Sequence, residues 1–465
     1  MVTTDLNGQQ TTYTYDALGR MTSRTMPGET QANSTSWTYT DSCAPTGAQA
    51  PCVEIDETQQ LGSGATTTSR AFYDGWGNLV ETRDTGPSGQ DIVRYRYYDP
   101  SGHDIVDSIA YFVPSGSGFS IPDATQPVTK TAYDELGRVT SATDTLNNTV
   151  TTSYSIVCNA PQTNDTACYE QVLTVNPLGH QEGTLTDAWG REAYGERYTG
   201  NNSGNYALYL VTRFAENANG DLTTIWDPGW TSATTYSYDA AGRMTGMSDP
   251  DRGTESYVLD ENGNRIQSTD ARGAAGTVYA GYDGLDRQLW RNTTNSPTGA
   301  YVTYSYDSTL GGNYGVGHLT GENFTGGPNN TLSGSYVYLY NLRGEQTSET
   351  LTVGSTSYPV ATAYDDASNV TSQTYPDGET VTTGYTGPGL LESLTTNLGG
   401  PTTTLLSNAT YAGYGGAGHL LTGAALDNGA LQYSTSYDAL LRLTNVQLTR
   451  TSDNATLYAE ARTFD

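Results

Sequence analysis

Four histidines, four cysteines and fifty acidic residues are the groups in this 465-residue chain with the reach to do chemistry. The histidines decide most of the question. Each directly follows a glycine, as Gly102-His103, Gly179-His180, Gly317-His318 and Gly418-His419. Arg20, Arg138, Arg191 and Arg243 fill the same place elsewhere. A residue that alternates with Arg in a repeated frame reads as a strand-start side chain lying over a neighbouring Tyr ring, not as a general base. Asp84-Thr85-Gly86 has the letters of an aspartic-protease triplet, but Thr82 and Arg83 precede it where an apolar strand is needed, and Pro87 follows. Asp260, Asn262 and Asn264 are spaced like the start of a calcium loop, yet Arg265 stands where that loop requires Gly. No phosphate loop and no nucleophile elbow occurs. No catalytic, cofactor-binding or metal residue is therefore expected.

The cysteines fall in two pairs, Cys43 with Cys52 and Cys158 with Cys168, each spanning a short loop that contains Pro. The spacing is not that of paired zinc ligands, and no His accompanies it. Each pair is expected to close its own disulfide across a hairpin, which in turn points to an oxidising compartment. Asn33, Asn164 and Asn408 begin sequons, which an Asn- and Thr-rich chain forms by chance.

The stretches around these residues belong to one repeated turn. Tyr15-Asp16-Ala17-Leu18-Gly19-Arg20, Tyr133-Asp134-Glu135-Leu136-Gly137-Arg138 and Tyr238-Asp239-Ala240-Ala241-Gly242-Arg243 share one frame. Tyr73-Asp74 with Gly77, Tyr98-Asp99, Tyr282-Asp283, Tyr306-Asp307, Tyr364-Asp365 and Tyr437-Asp438 are further copies. Asp opening a four-residue turn can accept a hydrogen bond from the backbone two residues on, and Gly at the fourth place supplies the positive φ for a bulged exit. Tyr13 and Tyr15 alternate with Thr12 and Thr14, as in a strand. Each copy reads as a β-hairpin, and the motif as structural.

A longer period lies over the short one. Tyr39, Cys43, Cys52 and the Trp76 turn return as Tyr154, Cys158, Cys168 and the Trp189 turn. Residues 13–130 and 131–237 are thus expected to be duplicated submodules of a single array spanning 1–465, with 238–465 a run of shorter hairpins. A loop opening at Val113-Pro114-Ser115-Gly116 is inserted in the first only.

Composition agrees with a sheet. Leu, Ile, Val and Phe make up only about 16% of the chain, a fraction that in a chain of net charge -29 usually means disorder. Here 36 Tyr stand against 6 Phe, so the large apolar surface carries hydroxyls and suits a sheet wetted at its edges or on a face. With Lys130 the sole lysine, nucleic acid and anionic membrane are excluded as partners, and no apolar run is long enough for a membrane span. The expected fold is all-β: a long antiparallel sheet of hairpins, some thirty strands and ~140 Å wide, which must curl.

The recurring Tyr-Asp-x-x-Gly-Arg frame, strongest at Tyr15, Tyr133 and Tyr238, resembles the YD-repeat, or Rhs (rearrangement hot spot), proteins. That family includes polymorphic bacterial toxins, the shell-forming B and C subunits of toxin complexes, and teneurins. The resemblance implies a strip that spirals into a hollow, cocoon-like shell, which in bacterial members holds a C-terminal toxin polypeptide. No propeller, plug, self-cleaving aspartyl-protease or toxin segment is recognisable, and both ends fall inside repeats. The chain is expected to be a wall segment of a longer secreted or cell-surface protein, non-enzymatic and without cofactors. Its partners would be the remainder of that protein and an enclosed toxin polypeptide. One alternative is an extracellular carbohydrate-binding or adhesion module using Trp226 and Trp230 as glycan platforms. Another is a head-to-tail fibre subunit in which Phe464-Asp465 is completed by the start of the next chain. The turn assignment predicts that Gly137→Val lowers stability by several kcal/mol, because a β-branched residue cannot hold positive φ cheaply; an unshifted melting curve would contradict it.

Overall fold

A computed structural model describes residues 1–464 except 31–33, 43–50, 61–65, 117, 120–121, 159, 161–164, 202–204, 230, 326–331, 387–388, 399 and 413–419. Within these residues the chain forms 37 strands and three short 3₁₀ turns, and the strands join in one sheet. Every pairing is antiparallel, and neighbours in the sheet are neighbours in the chain. The one irregularity is Gln90–Tyr98, whose second half pairs with Asp104–Ser108 and whose first half pairs with Tyr111–Pro114. Those two segments run along it as one interrupted strand. The sheet is thus a meander of hairpins, the cheapest topology for a chain with a turn signal every ten residues or so.

The alternation of Tyr with Thr gives the strip two chemically different faces. Thr14, Ser23 and Ser36 lie in register on one, Tyr13 and Arg24 on the other. The same division continues along the sheet, with Ser153 beside Leu173 and Tyr154 beside Val172. Hydroxyls on the first face hydrogen-bond across strands, as in Thr143 with Thr149 (2.8 Å), Thr269 with Thr277 (3.0 Å) and Thr374 with Thr380 (3.0 Å). The second face carries the tyrosines, half-buried against one another.

Because strands alternate in direction, successive turns fall on opposite edges. All the Tyr-Asp turns share one edge, here the tyrosine edge; the turns between them line the opposite edge. The strip then winds until its two edges meet. Asn7, in the opposite-edge turn after Val2–Thr4, accepts from the Val316 N–H (2.9 Å) and donates from its amide to the Val316 carbonyl (3.0 Å). Arg343 donates to the Pro27 carbonyl (3.3 Å) and faces the Glu29 carboxylate (3.5 Å), with both side chains buried. Thr145 donates to the Ala439 carbonyl (2.5 Å). In all three contacts the paired turns are twenty-three strands apart when the interrupted strand is counted once. An odd number brings opposite edges together. The result is a helical ribbon, with the tyrosine edge of the later winding seated on the opposite edge of the earlier one.

Asn7→Ala removes both hydrogen bonds at the first contact and should cost about 1–2 kcal/mol. Faster amide exchange at Val316, with strand interiors still protected, is the expected readout; unchanged exchange there would rule out the contact.

Candidate functional site: the tyrosine edge and two covered patches

Most Tyr-Asp turns are built around one carboxylate; the Tyr306-Asp307 copy instead opens a longer turn that closes at His318, with Asp307 accepting from the Gly317 N–H (2.7 Å) and from Arg287. Asp16 Oδ1 accepts from the N–H groups of Leu18 and Arg20 (both 2.9 Å), and Oδ2 accepts from Arg20 Nε (2.7 Å). Asp134 with Arg138 repeats this (2.9, 2.9 and 2.8 Å), as do Asp187 with Arg191, Asp239 with Arg243, Asp283 with Arg287 and Asp438 with Arg442. Where Arg is replaced, the bond survives: Asp74 takes it from Asn78 (3.0 Å) and Asp99 pairs with His103 Nδ1 (2.9 Å). In the turn at 217–221 the roles are reversed, Asn217 donating to Asp221 (2.8 Å). The fourth residue of the regular turns has positive φ: +80° at Gly19, +86° at Gly77, +77° at Gly137, +76° at Gly242, +63° at Asp286 and +66° at Leu441. At Gly137 an added Cβ would also lie 2.9 Å from His103 Nε2, so this glycine is needed for room as well as for its torsion.

The cation of each turn reaches the next turn on the same edge. Arg20 lies over the Tyr39 ring (4.3 Å), Arg138 over Tyr154 (4.1 Å), Arg287 over Tyr306 (4.4 Å) and Arg442 over Phe464 (4.4 Å). His103 and His318 do the same work by stacking on Tyr133 and Tyr340, at 4.6 and 4.4 Å between centroids. The tyrosine hydroxyl then donates to the carbonyl just after that cation: Tyr39 to Met21 (2.8 Å), Tyr133 to Asp104 (3.1 Å), Tyr154 to Val139 (2.9 Å), Tyr306 to Gln288 (2.9 Å). Tyr238, Tyr282 and Tyr437 donate to the carbonyls of Leu222, Arg265 and Leu421, which follow Asp221, Asn264 and Leu420 in place of a cation. Carboxylate, cation, ring and carbonyl form a chain of contacts along the edge. Sequence reasoning placed the ring under the cation but not the hydroxyl on the carbonyl; the near-absence of Phe from the Tyr position was the signal for it.

Two patches of the hydroxyl face are covered by loops. Over the first, the inserted loop places the Gly116 carbonyl on Arg70 and Arg83 (3.4 and 3.3 Å), while Asp91 accepts from Ser115 Oγ and the Gly116 N–H (2.6 and 3.1 Å). Phe119 packs edge-on to Phe72 (5.9 Å), and Val93, Tyr95 and Tyr111 form a small core. Glu81, Arg83 and Asp91 are buried there as a charged group. Over the second, a Cys158–Cys168 disulfide closes the loop, Ala160 joins a core with Tyr169, Leu185, Tyr194 and Val211, and Asp165 accepts from both tyrosine hydroxyls (2.5 and 3.0 Å). Cys52 is half-buried, but its expected partner Cys43 lies outside the described residues, as do His419, Trp230, Asn33 and Asn164.

The other sequence candidates stand apart. Asn262 and Asn264 donate their amides to Asp286 (2.8 and 2.6 Å), and Asp260 caps its own turn. Thr85 donates to the Thr68 carbonyl across the strand pair (3.1 Å), and Asp84 faces the other side of the sheet. His180 keeps its backbone N–H on Asn176 (2.9 Å), and Trp226 lies under Arg213 (4.6 Å). Among the described residues no three of His, Cys, Asp and Glu gather as for a metal ion, and no helix is long and apolar enough to cross a membrane. On the tyrosine face a groove of about 430 Å³ is lined by Trp37, Tyr73, Glu57, Asp84, Arg94 and Arg96 among others.

The edge sets the pH range of the fold. The Arg20 guanidinium, then its N–H, hold Asp16 below the usual carboxylate range; at Asp239 and Asp283 the arginine N–H leads and its guanidinium follows. A carboxylate depressed in the folded state stabilises above its unfolded value and loses that contribution as pH falls through the folded one. Glu54 and Asp104 are pushed up by burial and act in the opposite sense, but they are few. Burial raises Tyr98, Tyr238, Tyr306, Tyr364, Tyr385 and Tyr411, whose stabilisation is complete below the unfolded tyrosine value and lost as pH rises through the folded one. Stability measured by denaturant titration should therefore be flat in between, falling below about pH 4 and above about pH 10. A curve peaking sharply near neutrality would contradict this.

The RHS Repeat family model matches residues 2–31 and 217–254, both of which contain Tyr-Asp turns. No curated protein matches the sequence directly. Among solved structures, the whole chain superposes on TcdB2-TccC3 with a TM-score of 0.76 at 15% identity, spanning 26% of that chain. It superposes on the Photorhabdus luminescens Tc holotoxin pore, carrying a mutant TccC3, with a TM-score of 0.79 at 13% identity, spanning 28% of that chain. A TcdB2-TccC3-TEV structure gives 0.79 at 13%, spanning 29%. The chain thus covers under a third of the length of these structures and shares their fold throughout. The RHS Repeat match at two of the Tyr-Asp turns and the wound strip shared with the toxin-complex structures are thus what this chain has in common with known proteins.

Proposed function

We propose that this chain is a non-enzymatic wall segment of a secreted or cell-surface RHS protein, part of a shell that encloses or presents a toxin polypeptide. The observation that carries this reading is the seam, where a ribbon twenty-three strands around lays one edge on the other. A circuit of that size is ~110 Å around and at least ~35 Å across, wider with strand tilt. Less the side chains, the space inside still admits an extended or helical polypeptide, since a helix is ~10–12 Å thick. The Cys158–Cys168 disulfide fits an oxidising compartment. The two covered patches, one in 13–130 and one in 131–237, fit duplicated modules that thicken the wall. The remainder of a longer chain is the natural partner, since solved proteins with this fold are more than three times as long.

Electron microscopy and limited proteolysis of the gene's complete product form the test. A hollow particle with a protease-resistant polypeptide inside is expected; a hollow particle whose whole sequence outside the wall is digested at once would remove the cargo. Glycan binding is the second reading, favoured by the groove that sets the Trp37 and Tyr73 rings among Glu57, Asp84, Arg94 and Arg96. Aromatic faces beside charged hydrogen-bonding groups suit a sugar, and a glycan array without a hit would remove it.

A further inference from the structure

The groove at Trp37 and Tyr73 has a counterpart eight strands further along the strip, the interrupted strand counted once. Counted from the Trp76 and Trp189 turns, the two linings match position by position. Ile55, Ala71, Thr82 and Arg94 lie in register across four strands, and so do Val172, Thr184, Gly195 and Thr212. In the next row Glu57, Ser69 and Asp84 are answered by Thr174, Glu182 and Arg197. The second set lines a groove of about 240 Å³ in which Phe214 supplies the ring. A cavity of about 250 Å³ shares Thr174, Glu182 and Arg197 with it and runs on to Tyr198 and Tyr209. Small residues face each other in both floors, Ala71 with Thr82 and Thr184 with Gly195. A Cβ at Gly195 would come no nearer than 3.4 Å to any neighbour, so the hollow there has room for a side chain. Both grooves open on the tyrosine face. Windings meet edge to edge, so a neighbouring winding leaves both open.

We infer that the strip carries two equivalent saccharide sites, one in each groove, and that the ligand of both is a neutral sugar. This rests on the glycan reading above and adds a second site and a ligand class to it. Each groove sets an aromatic ring, for the apolar face of a sugar, beside hydroxyl and charged groups that fix its hydroxyls. The balance of charge selects the class. The chain has 50 acidic residues against 21 basic ones, yet the first lining sets Glu57, Glu81 and Asp84 against Arg70, Arg94 and Arg96. In the second, Glu182 and Arg197 pair at 3.5 Å, with Glu192 at one end. An acidic sugar would enter against the field of a body of net charge -29, and a basic ligand finds no excess of acid in the first lining to hold it. Arg94 is also preset, since Asp107 accepts from its Nε (2.7 Å), and a fixed donor costs less to engage. The grooves lie ~38 Å apart along the strip, too far for one short oligosaccharide to bridge.

Isothermal titration calorimetry of the chain with maltotriose, cellotriose and N-acetylated chitotriose, and with trigalacturonate as the acidic control, tests it. At least one neutral trisaccharide should bind at two sites per chain, and trigalacturonate at none. Ser69→Trp should fill the first groove and Gly195→Trp the second, each leaving one site and the two together none. Variants that keep the shape guard against a filled groove that upsets the fold. Glu57→Gln with Asp84→Asn should lower affinity at the first site at least tenfold and leave the second unchanged; Glu182→Gln with Arg197→Gln should do the reverse. Those four side chains are half-buried or exposed, so both variants should melt with the wild type. A single site per chain, binding that the second pair of substitutions leaves untouched, or equal binding of trigalacturonate overturns the inference while the glycan reading stands. A chain that binds none of the neutral sugars overturns both.

Discussion

A single carboxylate, repeated at most of the tyrosine-edge turns, is what the structure rests on. By accepting from two backbone N–H groups and one side-chain donor it fixes the turn at one length. A turn of fixed length fixes the register of the two strands it joins, and with a side-chain period of two it also fixes which residues share a face. A slip of one residue would put Tyr among Thr along the rest of the strip. The exposed ion pairs themselves are worth little one by one; their value lies in excluding every other register.

The tyrosines turn a row of separate hairpins into an edge. Each ring takes the cation of the turn before it, and its hydroxyl occupies a carbonyl that a Phe would leave to water. Burial is shallow almost everywhere, and among the described residues compact cores occur only where loops cover the hydroxyl face, around Val93 and around Leu185. Stability is therefore spread along the strip in nearest-neighbour increments, as in other repeat proteins, and not concentrated in one core. The buried Glu81, Arg83 and Asp91 group is tolerable only because the loop at Ser115 and Gly116 supplies donors and an acceptor to it.

Much of this was legible in the residues. The Asp and Gly of each turn identify a bulged hairpin from local chemistry, and the alternation of Tyr with Thr identifies strands, because both depend only on neighbours in the chain. The Arg-for-His exchange at position 103 pointed to a ring beneath, which is Tyr133. Leu441 carries positive φ without being Gly, and only the Tyr437-Asp438 frame around it betrays the turn. The groove at Trp37 and Tyr73 left no trace in the sequence, since its walls come from five strands whose faces coincide only after pairing. The Trp226 platform likewise proved to be one side of an Arg213 contact.

The sequence by itself determined the hairpin, its repetition and the family it resembles, because each is set by contacts a few residues apart. The girth of the winding was decided only in three dimensions. Nothing in a single repeat specifies that twenty-three strands complete a circuit; that number is the sum of small twists and bends, and the loops and bulges at Gln90–Tyr98 and beyond alter it. That Asn7 meets Val316 and Pro27 meets Arg343, more than three hundred residues apart, follows from that accumulated curvature.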